Sequence, residues 1–169
     1  MEFDEAVKNR RSIRKFKPGI EIPAADLEEI VKTGMRAPNM ANRRPWEFYI
    51  VTNREVQEKI VLQHAPGEGW KKASALIVLC ARPDLQKPLP EDFMVLDCDA
   101  AQSYMLLASS NLGYGSCWVG LYPDQRKMQM VQDLLQCESL PFSAAVIGIP
   151  DETVKAREEP DAGRIHLMS

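Results

Sequence analysis

No apolar run in this sequence approaches the roughly 18 residues that a membrane-spanning helix needs. The longest, Ala75–Ala81, has the length of a buried strand, and no membrane partner is expected. The opening residues, MEFDEAVKNRR, mix acids and bases around no apolar segment. They are therefore expected not to be a signal peptide, and a cytoplasmic location follows as an expectation. Histidine is scarce, with only His64 and His166, and Cys80, Cys98, Cys117 and Cys137 match neither a zinc spacing nor a C-x-x-C redox pair. All four cysteines lie in apolar stretches, where a reduced thiol behaves as a small hydrophobe, so no metal is expected. Excess positive charge is missing too: the net charge of -3 argues against a chain that coats nucleic acid. No G-x-G-x-x-G and no Walker loop are present, which disfavours a Rossmann or P-loop nucleotide site. No Ser-His-Asp set, activated cysteine or carboxylate pair stands out, so no side chain is assigned a catalytic role.

What is present is an ordinary globular composition, 45% hydrophobic and 27% charged, in 169 residues, which fits one domain over 1–169. Helical spacing marks residues 2–9, a helix opened by Pro23 and ended by Pro38, and another capped by Asn53. Strands are expected at 46–52, 75–81, 116–121 and 144–149. Gly67 and Gly69 read as a loop, and Pro83, Pro88 and Pro90 as a linker. The longest helix should cover 91–112 with Gly113 ending it, and a further helix should follow from 123 to 135. Its apolar residues from Phe93 to Ala108, Tyr104 and Met105 among them, cover most of the circumference, which places that helix inside an assembly. The final residues read as an extended polar tail. Helices and strands alternate, so the expected class is α+β, mixed layers around one central sheet.

Six cations crowd into ten residues: Lys8, Arg10, Arg11, Arg14, Lys15 and Lys17. A solvated basic face is the bland explanation. If the segment is extended, however, Arg10, Ser12 and Arg14 project to one side at period two while Ile13 points inward. Two guanidinium forks flanking a hydroxyl make a cradle for a terminal phosphate. Several phosphate-bearing partners fit at this level. Basic residues do not alternate with aromatic platforms, so single-stranded nucleic acid fits poorly.

RRSIRKF (Arg10 to Phe16), followed by APNMANRRPWEF (Ala37 to Phe48), resembles the nitroreductase family of FMN flavoproteins. NLGYGSCWVGLY (Asn111 to Tyr122) and the tail Lys155-Ala156-Arg157 are similar to two further family blocks, in the family's order and over nearly the whole chain. The resemblance implies a homodimer with FMN in clefts at the interface and NAD(P)H as reducing co-substrate. It implies that Arg10, Ser12, Arg14 and Arg157 hold the phosphate, with Lys155 beside Arg157 in the tail motif. Arg11 would face the ring or ribityl chain. Pro38, Asn39, Met40 and Asn42 would contact the same flavin, with Pro38 to Met40 supplied by the other subunit. Trp118, Val119, Gly120 and Leu121 would pass one face and edge of the isoalloxazine, a backbone N–H lying near N5. Taken one at a time, these residues also have structural readings: Pro38 as a helix terminator, Asn42 in a turn, and Trp46 and Trp118 as packing residues.

The implied activity is ping-pong hydride transfer from NAD(P)H through FMN to a nitroaromatic, quinone or other electron-poor small molecule. FMN carries the chemistry and the protein supplies position and electrostatics. The sequence departs from the family pattern at Arg43 and Arg44, which replace a small residue and a glutamine. Lys71 and Lys72 stand where relatives place an amide and a lysine, and little chain remains for a lid. These departures keep open an FMN-binding storage or redox-sensing module with little turnover. A scaffold docking an acidic partner is the remaining alternative.

Overall fold

The computed structural model describes residues 2–155 and 162–168. Along the chain run α1 (Phe3–Asn9), α2 (Ala24–Gly34), a 3-10 turn (Met40–Asn42), β1 (Trp46–Val51), α3 (Arg54–Val61), α4 (Gly67–Trp70), β2 (Ala75–Ala81), α5 (Pro83–Gln86), α6 (Asp92–Asn111), β3 (Gly115–Gly120), α7 (Gln125–Leu135), β4 (Leu140–Gly148) and a last 3-10 turn (Ala162–Arg164). Among the described residues the strands form one sheet in the order β1-β2-β4-β3, antiparallel at every pairing. The expected mixed α+β class holds.

β2 and β4 are central strands, so their apolar runs are buried on both faces. Alternation along β2 divides the core. Ile77 and Leu79 pack with Leu27, Ile30 and Met105 from α2 and α6. Leu76 and Val78 face Ile60, Trp70 and Val131 from α3, α4 and α7. β3 is the edge, and the basic segment runs beside it.

Local chemistry sets the helix ends. The Asn53 side chain accepts from the Val56 N–H at 3.1 Å, as expected of a cap. α6 ends in a Schellman turn: Gly113, at φ 84°, donates to the Ser110 carbonyl, and Tyr114 donates to that of Ser109.

The structure corrects several expectations. Gly67 and Gly69 lie in the short helix α4 rather than a loop. A Cβ on Gly67 would overlap the Val61 carbonyl, and one on Gly69 that of Arg14, so these glycines permit close approach rather than chain reversal. α2 stops at Gly34, short of Pro38, in tight turns through Arg36 and Ala37. The linker prolines include a helical turn, α5. β4 starts at Leu140, four residues before 144, because a register shift at Leu79/Cys80 admits Pro141 opposite Cys80.

α6 is also less uniformly buried than its composition suggests. Leu96 is 64% exposed and Tyr104 38%, while the polar Asp97, Gln102 and Ser109 are buried. Gln102 donates to the Ala144 carbonyl at 3.2 Å and accepts from the Ser143 hydroxyl at 3.1 Å. A buried amide is tolerated there because β4 satisfies both ends of it.

Candidate functional site

α1 ends at Arg10, whose backbone is already extended (φ -61°, ψ 111°). The chain then leaves the helix as a strip pinned at successive points. Ser12 bridges Ser116 of β3 in parallel, and the Ile13 N–H donates to the Ser116 carbonyl at 2.9 Å. Farther on, Lys17 N–H donates to the Ile149 carbonyl at 2.9 Å. Ile13 and Phe16 are buried, and their burial turns the intervening polar side chains outward.

Arg10 and Ser12 line a cavity of about 350 Å³ with Ser103, Leu106 and Leu107 of α6 and Trp118 of β3. Arg10 also borders a second cavity of about 210 Å³, which it lines together with Arg11, Tyr114, Gly115, Ser116 and Pro150. The Arg11 Nε is buried and has no hydrogen-bond partner. Arg14 is exposed, and its Nη1 makes only a long 3.4 Å contact to the Ser12 carbonyl. Among the described residues, no carboxylate lies within 4.0 Å of the guanidinium of Arg10, Arg11 or Arg14. The Cys117 thiol reports the neighbourhood. Burial pushes its pKa up, while the Arg14 charge, a Ser12 hydrogen bond and the Arg10 charge pull it down. Arg10 and Ser12 thus share one cavity, and Arg14, which does not line it, adds its charge nearby.

An anion already touches the strip. The Glu152 carboxylate accepts from the backbone N–H of Arg14 and, at 3.0 Å, from that of Lys15. It uses the backbone donors and leaves the guanidinium groups free. Nothing in the sequence singled out Glu152. The same connection carries the tail toward the strip, with Lys155 exposed at its end. Arg157 lies outside the described residues.

In β3 and just beyond it, alternation decides what each residue can offer. Trp118 is half-buried on the α6 side and lines the Arg10 cavity. Val119 and Leu121 are buried in the opposite core, so only their backbone is available to a ligand. Gly120 is exposed, and a Cβ there would meet no atom within 4 Å. Trp46 is a buried packing residue and Met105 a buried helix residue, as expected. Tyr104, expected inside the helix packing, instead lines an open groove of about 510 Å³ with Phe3, Thr33 and Leu112.

Pro38, Asn39, Met40 and Asn42 stand apart from Arg10. The Met40 N–H donates to Asp97 Oδ1 at 2.9 Å, near the start of α6. Asp97 and the cavity-lining Ser103 are six residues apart, about 9 Å along the helix. Within one chain the two groups of expected cofactor residues line no common cavity among those of the described residues. The 39–44 loop is strained: Ala41, Asn42 and Arg44 have φ of 49°, 53° and 52°. Asp97 is buried, its Oδ2 has no partner, and burial raises its pKa despite the Met40 hydrogen bond. Sequence reasoning missed it; its one signal was an acid inside the apolar stretch of α6. Lys71 is paired with Glu68 at 2.9 Å, which raises its pKa, while Lys72 is exposed.

Residues 7–64 match the model of the nitroreductase family. A Methanothermobacter thermautotrophicus protein, provisionally named NADH dehydrogenase/NAD(P)H nitroreductase, is 37% identical over 169 residues, covering 99% of this chain and 87% of that protein. A solved structure from Parabacteroides distasonis with the same provisional name superposes with a TM-score of 0.88 at 27% identity, covering 99% of this chain and 98% of that one. An FMN-dependent nitroreductase from Clostridium difficile superposes with a TM-score of 0.84 at 29% identity, covering 98% and 99%.

Proposed function

The chain belongs to the nitroreductase family and is an FMN-dependent NAD(P)H oxidoreductase, and we propose that it works by a ping-pong cycle as a single FMN-binding domain over 1–169. When bound, FMN would supply the redox chemistry at N5, carrying a hydride from NAD(P)H to a nitroaromatic, quinone or other electron-poor acceptor, and the residues of this chain would hold and orient it. With a nitro group, that hydride and one solvent proton give the nitroso product and water.

The observation that carries this reading is the strip at the β3 edge: arginines with no carboxylate partner among the described residues, beside a serine hydroxyl, in a protein of net charge -3. Unpaired guanidinium groups held by a buried backbone anchor suit a phosphate monoester, which offers an oxygen to each fork. Arg10, Ser12 and Arg14 hold that phosphate, joined by Lys155 and Arg157 from the tail. Arg11, whose Nε lacks a partner, donates to the ring or ribityl chain. Trp118 forms the apolar wall. The backbone of Val119, Gly120 and Leu121 would border the flavin, where a fixed N–H would stabilise developing negative charge.

The protein works as a homodimer, which brings Pro38, Asn39, Met40 and Asn42 of one subunit to the flavin of the other. No side chain acts as nucleophile, and the acceptor is a small molecule.

Purified protein should be yellow and release FMN on heating, and anaerobic NADH or NADPH should bleach the flavin band. A colourless protein indifferent to added FMN would end the flavin assignment. Bound flavin that neither nucleotide bleaches would favour a storage or sensing module instead.

A further inference from the structure

The 39–44 loop holds one arginine far more tightly than an exposed arginine is ordinarily held. Arg44 donates from its backbone N–H to Asn39 Oδ1 at 2.9 Å and from Nε to Asn42 Oδ1 at 2.9 Å. Its φ of 52° is one of three left-handed values at non-glycine residues in four positions. Such conformations persist only where the surroundings over-determine them. Here the anchor is the buried Asp97, which accepts from the Met40 N–H. Beyond Nε, no carboxylate among the described residues lies within 4.0 Å of the Arg44 guanidinium, or of that of Arg43 beside it.

A solvated surface arginine has no need of this. Long side chains ordinarily give up rotamer freedom when they bind, and fixing Nε and the backbone in advance removes much of that cost. The result is a planar fork with its outer edge presented and its charge unneutralised, a geometry that matches a carboxylate.

We propose that Arg44, fixed by Asn39 and Asn42 on a loop anchored by Asp97, makes this enzyme select electron acceptors that carry an anionic group beside the reducible one. This rests on the reading above, in which the loop of one subunit borders the flavin of the other. Arg43 adds charge to the same rim without a fixed direction, so the specificity belongs to Arg44.

The test compares 4-nitrobenzoate with 4-nitrobenzyl alcohol, which share a ring and a nitro group and differ in charge. Wild-type holoenzyme should favour the anion in kcat/KM at low salt, and the preference should shrink as ionic strength rises. Arg44→Gln should lower the anion-to-neutral ratio about tenfold, through KM for the anion, and flatten its salt dependence. Arg44→Lys, which keeps charge but loses the Asn42 tether, should fall between. Calorimetric titration of benzoate into the oxidised holoenzyme should show a matching rise in Kd for Arg44→Gln. If both acceptors turn over and the ratio and benzoate affinity are the same in wild type and Arg44→Gln, the proposal is overturned while the oxidoreductase assignment stands. If flavin is bound and reduced but neither acceptor reoxidises it, the acceptor reading fails and takes this proposal with it.

Discussion

Gly69 lies directly against the carbonyl oxygen of Arg14, so close that a methyl group on Gly69 would overlap it. Helix α4 is thereby a shim behind the basic strip. It packs against the backbone of Arg14 and Lys15.

Gly69→Ala should therefore disturb the strip. The overlap is with backbone, which cannot swing aside, so a stability loss of about 1–3 kcal/mol is expected. FMN retention should fall with it, because the phosphate ligands shift together. Thermal unfolding and flavin release by dialysis measure the two effects. An alanine variant as stable and as yellow as wild type would show that the strip tolerates displacement.

Arg10→Ala and Arg14→Ala should each raise the Kd for FMN by about tenfold or more, since each removes a charge-assisted contact. Both effects should shrink at high salt, and riboflavin, which lacks the phosphate, should bind the variants and wild type alike. Fluorescence titration of the apoprotein reads both ligands. An unchanged FMN affinity in Arg14→Ala would remove that residue from the site.

Asp97 predicts a pH dependence. Burial raises its pKa in the folded chain, outweighing the opposite pull of the Met40 N–H. The folded state therefore binds this proton more tightly than the unfolded state. That contribution to stability is complete at low pH and is lost as pH rises through the folded pKa. Asp97→Asn keeps an oxygen for Met40 and cannot ionise. Its urea midpoint, relative to wild type, should climb as pH rises from about 4, the unperturbed carboxyl range, and then level off. A difference that stays flat across pH would mean the carboxyl is not perturbed.

The homodimer assignment makes a prediction about the open groove on α1, α2 and α6, where Phe3, Tyr104 and Leu112 are exposed. Light scattering should give twice the chain mass. If each site takes Pro38 to Met40 from the other subunit, as proposed, Phe3→Asp should weaken association and loosen FMN in parallel. A monomer that keeps its flavin on dilution would contradict the shared site.

The relation between sequence and structure differs from element to element. β2 was legible to the residue at Ala75–Ala81, because a continuous apolar run has no other stable place than a doubly covered strand. Asn53 and Gly113 were legible as a cap and a terminator, because each acts within a few residues of itself. The basic strip was legible in part: Ile13 is buried and Arg10 and Ser12 line one cavity, whereas Arg14 lies outside that lining. Gly69 was misread because its close approach is to Arg14, a partner 55 positions away in the chain. Asp97 gave little signal, since an acid in a helix is ordinary until a backbone N–H arrives from the distant Met40.

By itself, then, the sequence determined the periodic elements, the charge cluster and the ordered motifs that mark the family, all of which depend on neighbours within a turn or a strand. Only the tertiary structure decided the antiparallel order β1-β2-β4-β3, the place of Arg10 between two cavities of which Arg11 lines one, and the anchoring of the 39–44 loop on α6. The physical reason is range: capping and periodicity are settled by nearby bonds, whereas pairing partners and buried carboxylates are settled by packing between segments far apart in the chain.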